Sequence, residues 1–519
     1  MHPTRWGDPA AAAPLPTATR ELVELALGVR DTPATETVEL PESALPQVVL
    51  DELRALLGDD RVLTDDETRR LRTRGKSTPD LLRARAGDLT DAPDAVVRPA
   101  THDEVQAVLD LAARHRVAVV PFGGGTSVTG GLVAQRQGLI GVLSLDLCRM
   151  KALREVDTTS MTAVLEPGLR GPEAETLLAE HGLTLGHFPQ SFEYASIGGF
   201  AATRSSGQAS AGYGRFDSLV VGLTVATPQG TLELGTAPAN AAGPDLRQLV
   251  LGSEGTLGVI TAVRVRVRRR PTEKVYEAWQ FDTFDAGADA MRTLAQAGLL
   301  PTVIRLSDET ETAINLASQS DVGGSAVTGC LMVVGHEGTD PELVAGRRAL
   351  VASQLERLGA SALGEERGAA WERGRFHAPY LRDSLLDVGV LVETLETATF
   401  WADRQRLYDA VKTALTATLG EQTLVLCHIS HVYETGCSLY FTVAAPGGDT
   451  PLETWLAAKA AATQAMVDAG ATVTHHHAVG RDHLPWFAQE IGPVGVRMLR
   501  AVKRELDPVG VLNPGVMIP

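Results

Sequence analysis

From residue 95 onward, short apolar runs alternate with stretches of helical period, and turn residues separate them. Ala95–Val97 is an apolar triplet. Thr101-His102-Asp103-Glu104 follows with the spacing of a helix-capping box. Val105, Val108, Leu109 and Ala112 then share one face of a helix predicted over Asp103–His115. Val117–Val120 reads as the next strand and runs into PFGGGTSVTGG, Pro121–Gly131; Leu139–Leu145 returns to strand. Met161–Leu165 is a further strand. A helix over Pro172–His181 comes next, with proline at its start and Gly182 beyond its end. Strands are predicted again at Leu219–Ala226, Thr231–Leu234 and Val259–Val267, after a stretch rich in Gly, Ser and Ala over Gln190–Gly214. Before residue 91 the chain is Pro/Ala-rich and then charged, with helices expected at Val48–Leu57 and Thr64–Arg74. Beyond Pro271 strands and helices lengthen, and helices are expected at Leu452–Ala469 and Gly492–Leu506.

The glycine loop carries the first chemistry. Glycine permits positive φ and lets a ligand approach the main chain. Successive bare N–H groups make a concavity that suits a pyrophosphate, and Thr126, Ser127 and Thr129 add hydroxyls. Spacing excludes two familiar phosphate loops. A GxGxxG fingerprint from Gly123 would need glycine where Val128 stands, and no Lys-Ser/Thr follows Gly130-Gly131. Both of those motifs open a helix, and none is predicted between Gly131 and Leu139.

At 519 residues, two or more domains are expected. A net charge of −17 argues against a nucleic-acid binder but leaves room for a locally basic pocket and an anionic substrate. No apolar run approaches the roughly 18 residues of a membrane span, and the N-terminal stretch lacks a signal-peptide pattern. A cytoplasmic location is therefore expected. Four cysteines without a CxxC pair fit a reducing compartment.

Three further segments give the loop a context: QSFEYASIGGFAATRSSG (Gln190–Gly207), LGSEGTLGVIT (Leu251–Thr261) and LDPVGVLNPG (Leu506–Gly515). Together with the loop they resemble the FAD-binding domain of the vanillyl-alcohol oxidase / p-cresol methylhydroxylase superfamily. The resemblance implies an α+β protein. It would have a two-subdomain FAD-binding domain of the p-cresol methylhydroxylase type, an α+β cap domain and a C-terminal helical segment. The expected division is an N-terminal helical region at 1–90, the FAD domain at 91–271 and the cap at 272–450, with 451–519 packing back on the FAD domain. It further implies that Pro121, Gly123, Gly124, Gly125, Thr126 and Ser127 cradle the pyrophosphate. Gln190, Ser191, Tyr194, Ser196, Gly198, Gly199, Thr203, Arg204, Ser205 and Ser206 would line the flavin. Glu254, Gly255, Thr256, Gly258, Val259 and Ile260 would approach the adenine and ribose end. Many relatives attach flavin through a histidine beside the loop. None occurs between His115 and His181, so non-covalent FAD is expected.

The C-terminal half resembles the alkyldihydroxyacetonephosphate synthase (alkylglycerone-phosphate synthase) family. Arg305 stands in VIRLSD, Arg382 in YLRD, Tyr440 in YETGCSLYF, and His475-His476-His477 precede Ala478-Val479-Gly480. The short opening Arg5-Trp6-Gly7-Asp8 is also similar to that family's. The resemblance implies exchange of the acyl group of acyl-dihydroxyacetone phosphate for a fatty alcohol through a flavin N5 adduct, a step of ether-lipid synthesis. Arg382 would then hold phosphate or carboxylate, suited by its fork, with Arg305 in support. His477 and Tyr440 would move protons, with His475 and His476 beside them. In an extended segment three successive histidines alternate faces, so one of them is expected to face solvent or serve structure. The alternative is an FAD-linked dehydrogenase or oxidase of a D-2-hydroxy acid such as lactate or glycolate. His428, His431, Glu434 and the triple histidine would supply ligands for a metal. However, histidine stands where the metal-bearing relatives have the glutamate of Glu-His-Gly, and no resident metal is expected. A homodimer, a small-molecule or lipid substrate with an anionic group, and peripheral contact with the inner membrane surface complete the expectations.

Overall fold

The computed structural model describes the chain except residues 9, 11–13, 16, 36, 37, 39 and 319–328. Three sheets organise it. The first runs Val62–Leu63, Ala95–Val97, Val142–Asp146, Ala118–Phe122 in spatial order. Val142–Asp146 pairs in parallel with both Ala95–Val97 and Ala118–Phe122. All five residues of this central strand are buried, as expected for a parallel strand covered on both faces. The helix His102–His115 crosses between its neighbours, with Thr101 accepting from the Glu104 N–H at its start.

The core of this layer does not begin at residue 91. Leu45 and, from the Gln47–Leu57 helix, Val49, Leu53 and Leu57 share it, and so do Val511 and Leu512 from the far end of the chain. The C-terminal segment closes the sheet edge: Val119 N–H donates to Val511 O at 2.8 Å, and Asn513 N–H donates back to Val119 O at 2.8 Å. An otherwise open strand edge is thereby paired.

The second sheet is antiparallel, in the order Leu153–Asp157, Thr162–Leu165, Val259–Arg266, Val220–Thr227, Gly230–Leu234. The third has seven strands, all antiparallel: Ser361–Gly364, Glu273–Phe281, Cys330–Gly338, Val303–Ser307, Leu424–Ile429, Gly436–Pro446 and Val390–Phe400. Its two faces differ, as the period of two requires. Leu391, Leu395, Phe441, Leu439, Cys427, Ile429, Ile304 and Leu306 face one core, shared with the helices Phe284–Gln296, Arg404–Leu419 and Pro451–Asp468. Glu396, Tyr440, His428 and Arg305 alternate with these residues and occupy the opposite face.

Several local expectations change. The helix expected over Thr64–Arg74 stops at Arg70, because the following residues leave to lie along the glycine loop. There Lys76 N–H donates to Ser127 O at 2.7 Å, and a Cβ on Gly75 would collide with the same carbonyl. The C-terminal segment divides: Trp455, Ala458, Ala462 and Met466 pack into the cap core, whereas Arg481, Lys503, Val511 and Leu512 join the FAD side. An additional helix begins at Leu484 and ends at the non-helical Gly492 (φ 68°), after which the helix expected over Gly492–Leu506 follows from Pro493. Among the described residues no helix is long and apolar enough to cross a membrane.

Asn513 ties the two loops of the FAD side together. Its buried amide donates to Gly131 O at 3.0 Å and to Glu254 O at 2.7 Å. Asn513→Ala should cost about 2 kcal/mol in denaturant unfolding, since two buried carbonyls lose their donor. A loss below about 0.5 kcal/mol, within the range of ordinary surface changes, would show that the tie is not structural.

Candidate active site

Strand register builds the centre. Glu396 pairs with Tyr440, Tyr440 with His428, and His428 with Ser307, two residues beyond Arg305. Four neighbouring strands thus present a carboxylate, a phenol, an imidazole and a guanidinium on one face. The Tyr440 ring stacks on His428 at 4.7 Å. Arg305 bonds His428 at 3.0 Å and Glu311 at 2.8 Å. Burial pushes Glu311 up, but Arg305 and His428 outweigh it and hold the carboxyl at about 2. Arg305 is therefore the centre of a buried ion pair that braces His428.

The triple histidine forms a bend around Glu396. The Glu396 carboxylate accepts the backbone N–H groups of His475 (2.7 Å), His476 (3.2 Å) and His477 (2.9 Å), together with the Thr474 hydroxyl. Successive N–H groups converging on one anion form a nest. Because the segment is bent, its side chains do not alternate between core and solvent as expected for an extended run. His475 is 7% exposed, and the side chains of His476 and His477 are 12% and 17% exposed. His475 engages both ring nitrogens, with Tyr433 OH at 2.6 Å and His476 Nδ1 at 2.9 Å. His431 stacks on His475 at 5.1 Å, and its Nδ1 meets Ser206 Oγ at 3.1 Å. The His477 ring stands edge-on to Tyr440 at 5.6 Å.

Burial dominates the proton affinities. It drives His431 and His475 well below the usual imidazole value and His477 to about 3, while the Tyr440 and Tyr433 phenols rise to about 12. Burial opposes ionisation of Glu396, but His476, His477 and His475 hold it well below the carboxylate range. Ligand atoms of His431, His475 and His476 all lie within 4.8 Å of one another, which would gather a cation. The hydrogen bonds just described already engage both nitrogens of His475.

The glycine loop lies against this bend. Thr129 Oγ1 donates to His477 O at 3.2 Å, and Thr129 O accepts from Arg481 N–H at 2.9 Å. Thr129 is thus a brace rather than one of the loop's ligand donors. Gly123 packs against the Ser196 side chain, where a Cβ would strike Oγ, and Gly124 packs backbone to backbone, where a Cβ would strike Tyr194 O. Ser127 Oγ accepts from Gly131 N–H. Ser196 caps the helix Ile197–Thr203, which carries Gly198 and Gly199, and Thr203 Oγ1 bonds back to Gly199 O. The Arg204 guanidinium bonds Leu251 O, Gln248 O and Asp217. Ser205 Oγ meets His187 Nε2 at 3.1 Å, and Ser206 reaches His431. Gly255 has no room for a Cβ beside Pro121, and Thr256 Oγ1 bonds Ser253 O. Gly258, Val259 and Ile260 enter the second sheet opposite Val225 and Ala226. Gln190 and Ser191 begin the turn that leads to Tyr194.

Above the loop opens a cleft of about 80 Å³, lined by Arg72, Arg74, Lys76, Phe122–Gly125, Lys151, Arg170 and Ser196 among others. Its walls are cationic on a protein of net charge −17. Burial, then Arg382, lowers the Lys76 ammonium to about 8. Bare loop backbone beneath a basic rim fits the diphosphate of FAD. Arg382 stands apart from the histidines, on the helix Ala378–Asp387, where NH1 donates to Lys76 O at 2.6 Å.

Sequence reasoning missed several of these groups. His187, in LGHFPQS just before the flavin-lining segment, is buried between Phe200 and Phe216 at 4.8 and 5.1 Å, and burial lowers it to about 3. Its place beside that motif was the available signal. The RTRGK run at Arg72–Lys76 was another. Glu396 gave a weaker one, as one of two acids, with Glu393, in an otherwise uncharged strand.

These features define an FAD-dependent enzyme: paired α+β layers with a glycine loop, and a seven-stranded cap that presents an acid/base cluster to it. Comparison with known proteins agrees. Residues 93–235 match the family "FAD binding domain", and residues 270–517 match "FAD linked oxidases, C-terminal domain". An alkyldihydroxyacetonephosphate synthase from Trypanosoma brucei brucei is 34% identical over 504 residues, 92% of this chain and 82% of that protein. A solved alkyldihydroxyacetonephosphate synthase superposes with a TM-score of 0.84 at 30% identity, over 99% of this chain and 98% of that one. Substrate-bound p-cresol methylhydroxylase shares the fold alone, with a TM-score of 0.69 at 18% identity over 90% of this chain and 96% of that one. The chain belongs to the alkyldihydroxyacetonephosphate synthase family.

Glu254 gives a test of how the loops are joined. It is buried and accepts the Gly480 N–H at 2.7 Å, and burial raises it from the ordinary 4.5 to about 8. The folded state therefore holds a proton that the unfolded state releases. That contribution is complete below about pH 4.5 and is lost as pH rises through about 8. Glu254→Gln keeps an acceptor and has no charge to bury. It should melt within ~2 °C of wild type at pH 5 and several degrees above it at pH 9. A difference that does not change with pH would contradict the buried, protonated carboxyl.

Proposed function

We propose that this protein exchanges the acyl group of an acyl-dihydroxyacetone phosphate for a long-chain alcohol, forming an ether. The carboxylate departs with its ester oxygen from C1, the alcohol oxygen takes its place, and the alcohol proton is released to solvent; no net oxidation occurs. Bound FAD supplies an electron-accepting ring at C1. The supporting observation is the placement of Tyr440 and His477 edge to face, in a bend joined to the glycine loop by Thr129.

Tyr440, a phenol that stays protonated, donates toward the ketone oxygen. His477, neutral in its buried site, takes a C1 proton as the carboxylate leaves and returns one to C1 once the alcohol oxygen is in place. An arriving phosphate dianion raises its proton affinity by offsetting the desolvation that depresses it. His475 and His476 hold the shape of the bend, and Arg382 holds the phosphate or the leaving carboxylate. Arg305 positions His428 rather than touching substrate. Gly123–Ser127, with the segments around Gln190–Ser206 and Glu254–Ile260, seat FAD. Non-covalent binding of FAD is supported by the sequence, in which no histidine stands beside the glycine loop between His115 and His181. A lipid substrate implies peripheral contact with a membrane surface.

Holoenzyme mixed with acyl-dihydroxyacetone phosphate and hexadecanol should release fatty acid and form the ether in equal amounts. His477→Ala and Tyr440→Phe should each lower the rate about 100-fold with FAD still bound, the scale of lost acid–base catalysis. Anaerobic bleaching of the flavin by D-lactate or glycolate, with no ether formed, would instead establish the oxidoreductase reading.

A further inference from the structure

The opening Arg5-Trp6-Gly7-Asp8 is absorbed by neither the cofactor site nor the histidine bend, yet it is closely held. Trp6 is 5% exposed, and its ring meets Tyr194 edge-on at 5.7 Å. Asp8 N–H donates to Tyr194 OH at 3.1 Å, and Arg5 pairs with Asp387 at 2.6 Å. Gly7 adopts φ +62°, and a Cβ there would stand 2.5 Å from Tyr380 OH and 2.9 Å from Tyr194 OH. Only glycine passes between these two hydroxyls, themselves 3.4 Å apart.

The contacts converge on Arg382. Its guanidinium has two anchors, the Lys76 carbonyl at 2.6 Å and Asp383 Oδ1 at 3.3 Å. The same short segment touches both anchor residues. Trp6 N–H donates to the other oxygen of Asp383 at 2.5 Å, and the Lys76 ammonium donates to His2 O at 2.5 Å. Asp383, 2% exposed, thus faces the segment with one oxygen and Arg382 with the other.

We propose that His2–Asp8 is a strap that positions Arg382, acting through Asp383 and Lys76, and that Gly7 and Trp6 are its positioning residues. The strap clamps the Ala378–Asp387 helix onto Tyr194 at the flavin site and sets where the substrate's anionic group is held. This rests on the reading of Arg382 as the anion-holding arginine.

The test is a double-mutant cycle on the full-length holoenzyme in the exchange assay. Gly7→Ala should raise KM for acyl-dihydroxyacetone phosphate about tenfold, change kcat less than about threefold and leave FAD content unchanged. Added to Arg382→Ala it should have almost no further effect, since both remove one interaction. Trp6→Phe, which keeps an aromatic ring against Tyr194, should retain at least about half of kcat/KM, whereas Trp6→Ala should resemble Gly7→Ala. If Gly7→Ala does not fold, Arg5→Ala at the part-exposed pair carries the same cycle with a smaller KM rise. An effect of Gly7→Ala equal on the wild-type and Arg382→Ala backgrounds, or no effect on KM, overturns the strap. An unchanged KM in Arg382→Ala overturns the underlying assignment of Arg382 instead.

Discussion

A single buried carboxylate, Glu396, sets the shape of the candidate active site. It is 3% exposed, and three consecutive backbone N–H groups and one hydroxyl point at it. Burying an isolated carboxylate would cost several kcal/mol or more. Here the N–H nest and the nearby imidazoles offset that cost, and the charge in turn forces residues 474–477 to bend. With the bend in place, His475 reaches Tyr433, His477 turns to Tyr440, and the carbonyl of His477 is free to accept Thr129.

That last contact carries the constraint into the FAD side. Thr129 belongs to the glycine loop, whose neighbours Gly131 and Glu254 are bound by Asn513 from the end of the chain. Glu254 reaches back to Gly480, five residues after His475. The cofactor loop, the acid/base bend and the C-terminal segment therefore form a closed circuit of buried hydrogen bonds. Proton affinities at the site follow from the same burial: its phenols stay protonated, and His475 and His477 stay neutral until an anionic ligand arrives.

Much of this was legible in the sequence. Period-two and helical patterns located most strands of the first two sheets to within a few residues but missed Leu153–Asp157, whose polar sequence LREVD has no buried residue, and the two-residue Val62–Leu63. The resemblance supplied the FAD site and grouped Tyr440 with the triple histidine. What could not be read was contact across sequence distance. Nothing local indicates that Glu396 and Tyr440 share a register position, or that Thr129 would brace His477 instead of meeting a ligand. The glycines show the same limit. At 123 the missing Cβ admits the Ser196 hydroxyl and at 124 the Tyr194–Ala195 backbone, roles no spacing rule distinguishes from ligand approach. The Arg204 side chain, assigned to the flavin from its motif, bonds Asp217 and the Leu251 and Gln248 carbonyls, which lie far from it in sequence.

The claim that the Glu396 charge organises the site is tested most directly by Glu396→Gln, read as exchange rate per bound FAD. The amide keeps the volume but sets an NH₂ donor against the N–H groups of the bend. The account predicts a folded, FAD-loaded protein whose exchange rate falls about 100-fold or more, the scale of losing preorganised catalytic groups. Wild-type turnover by that FAD-loaded variant would contradict it.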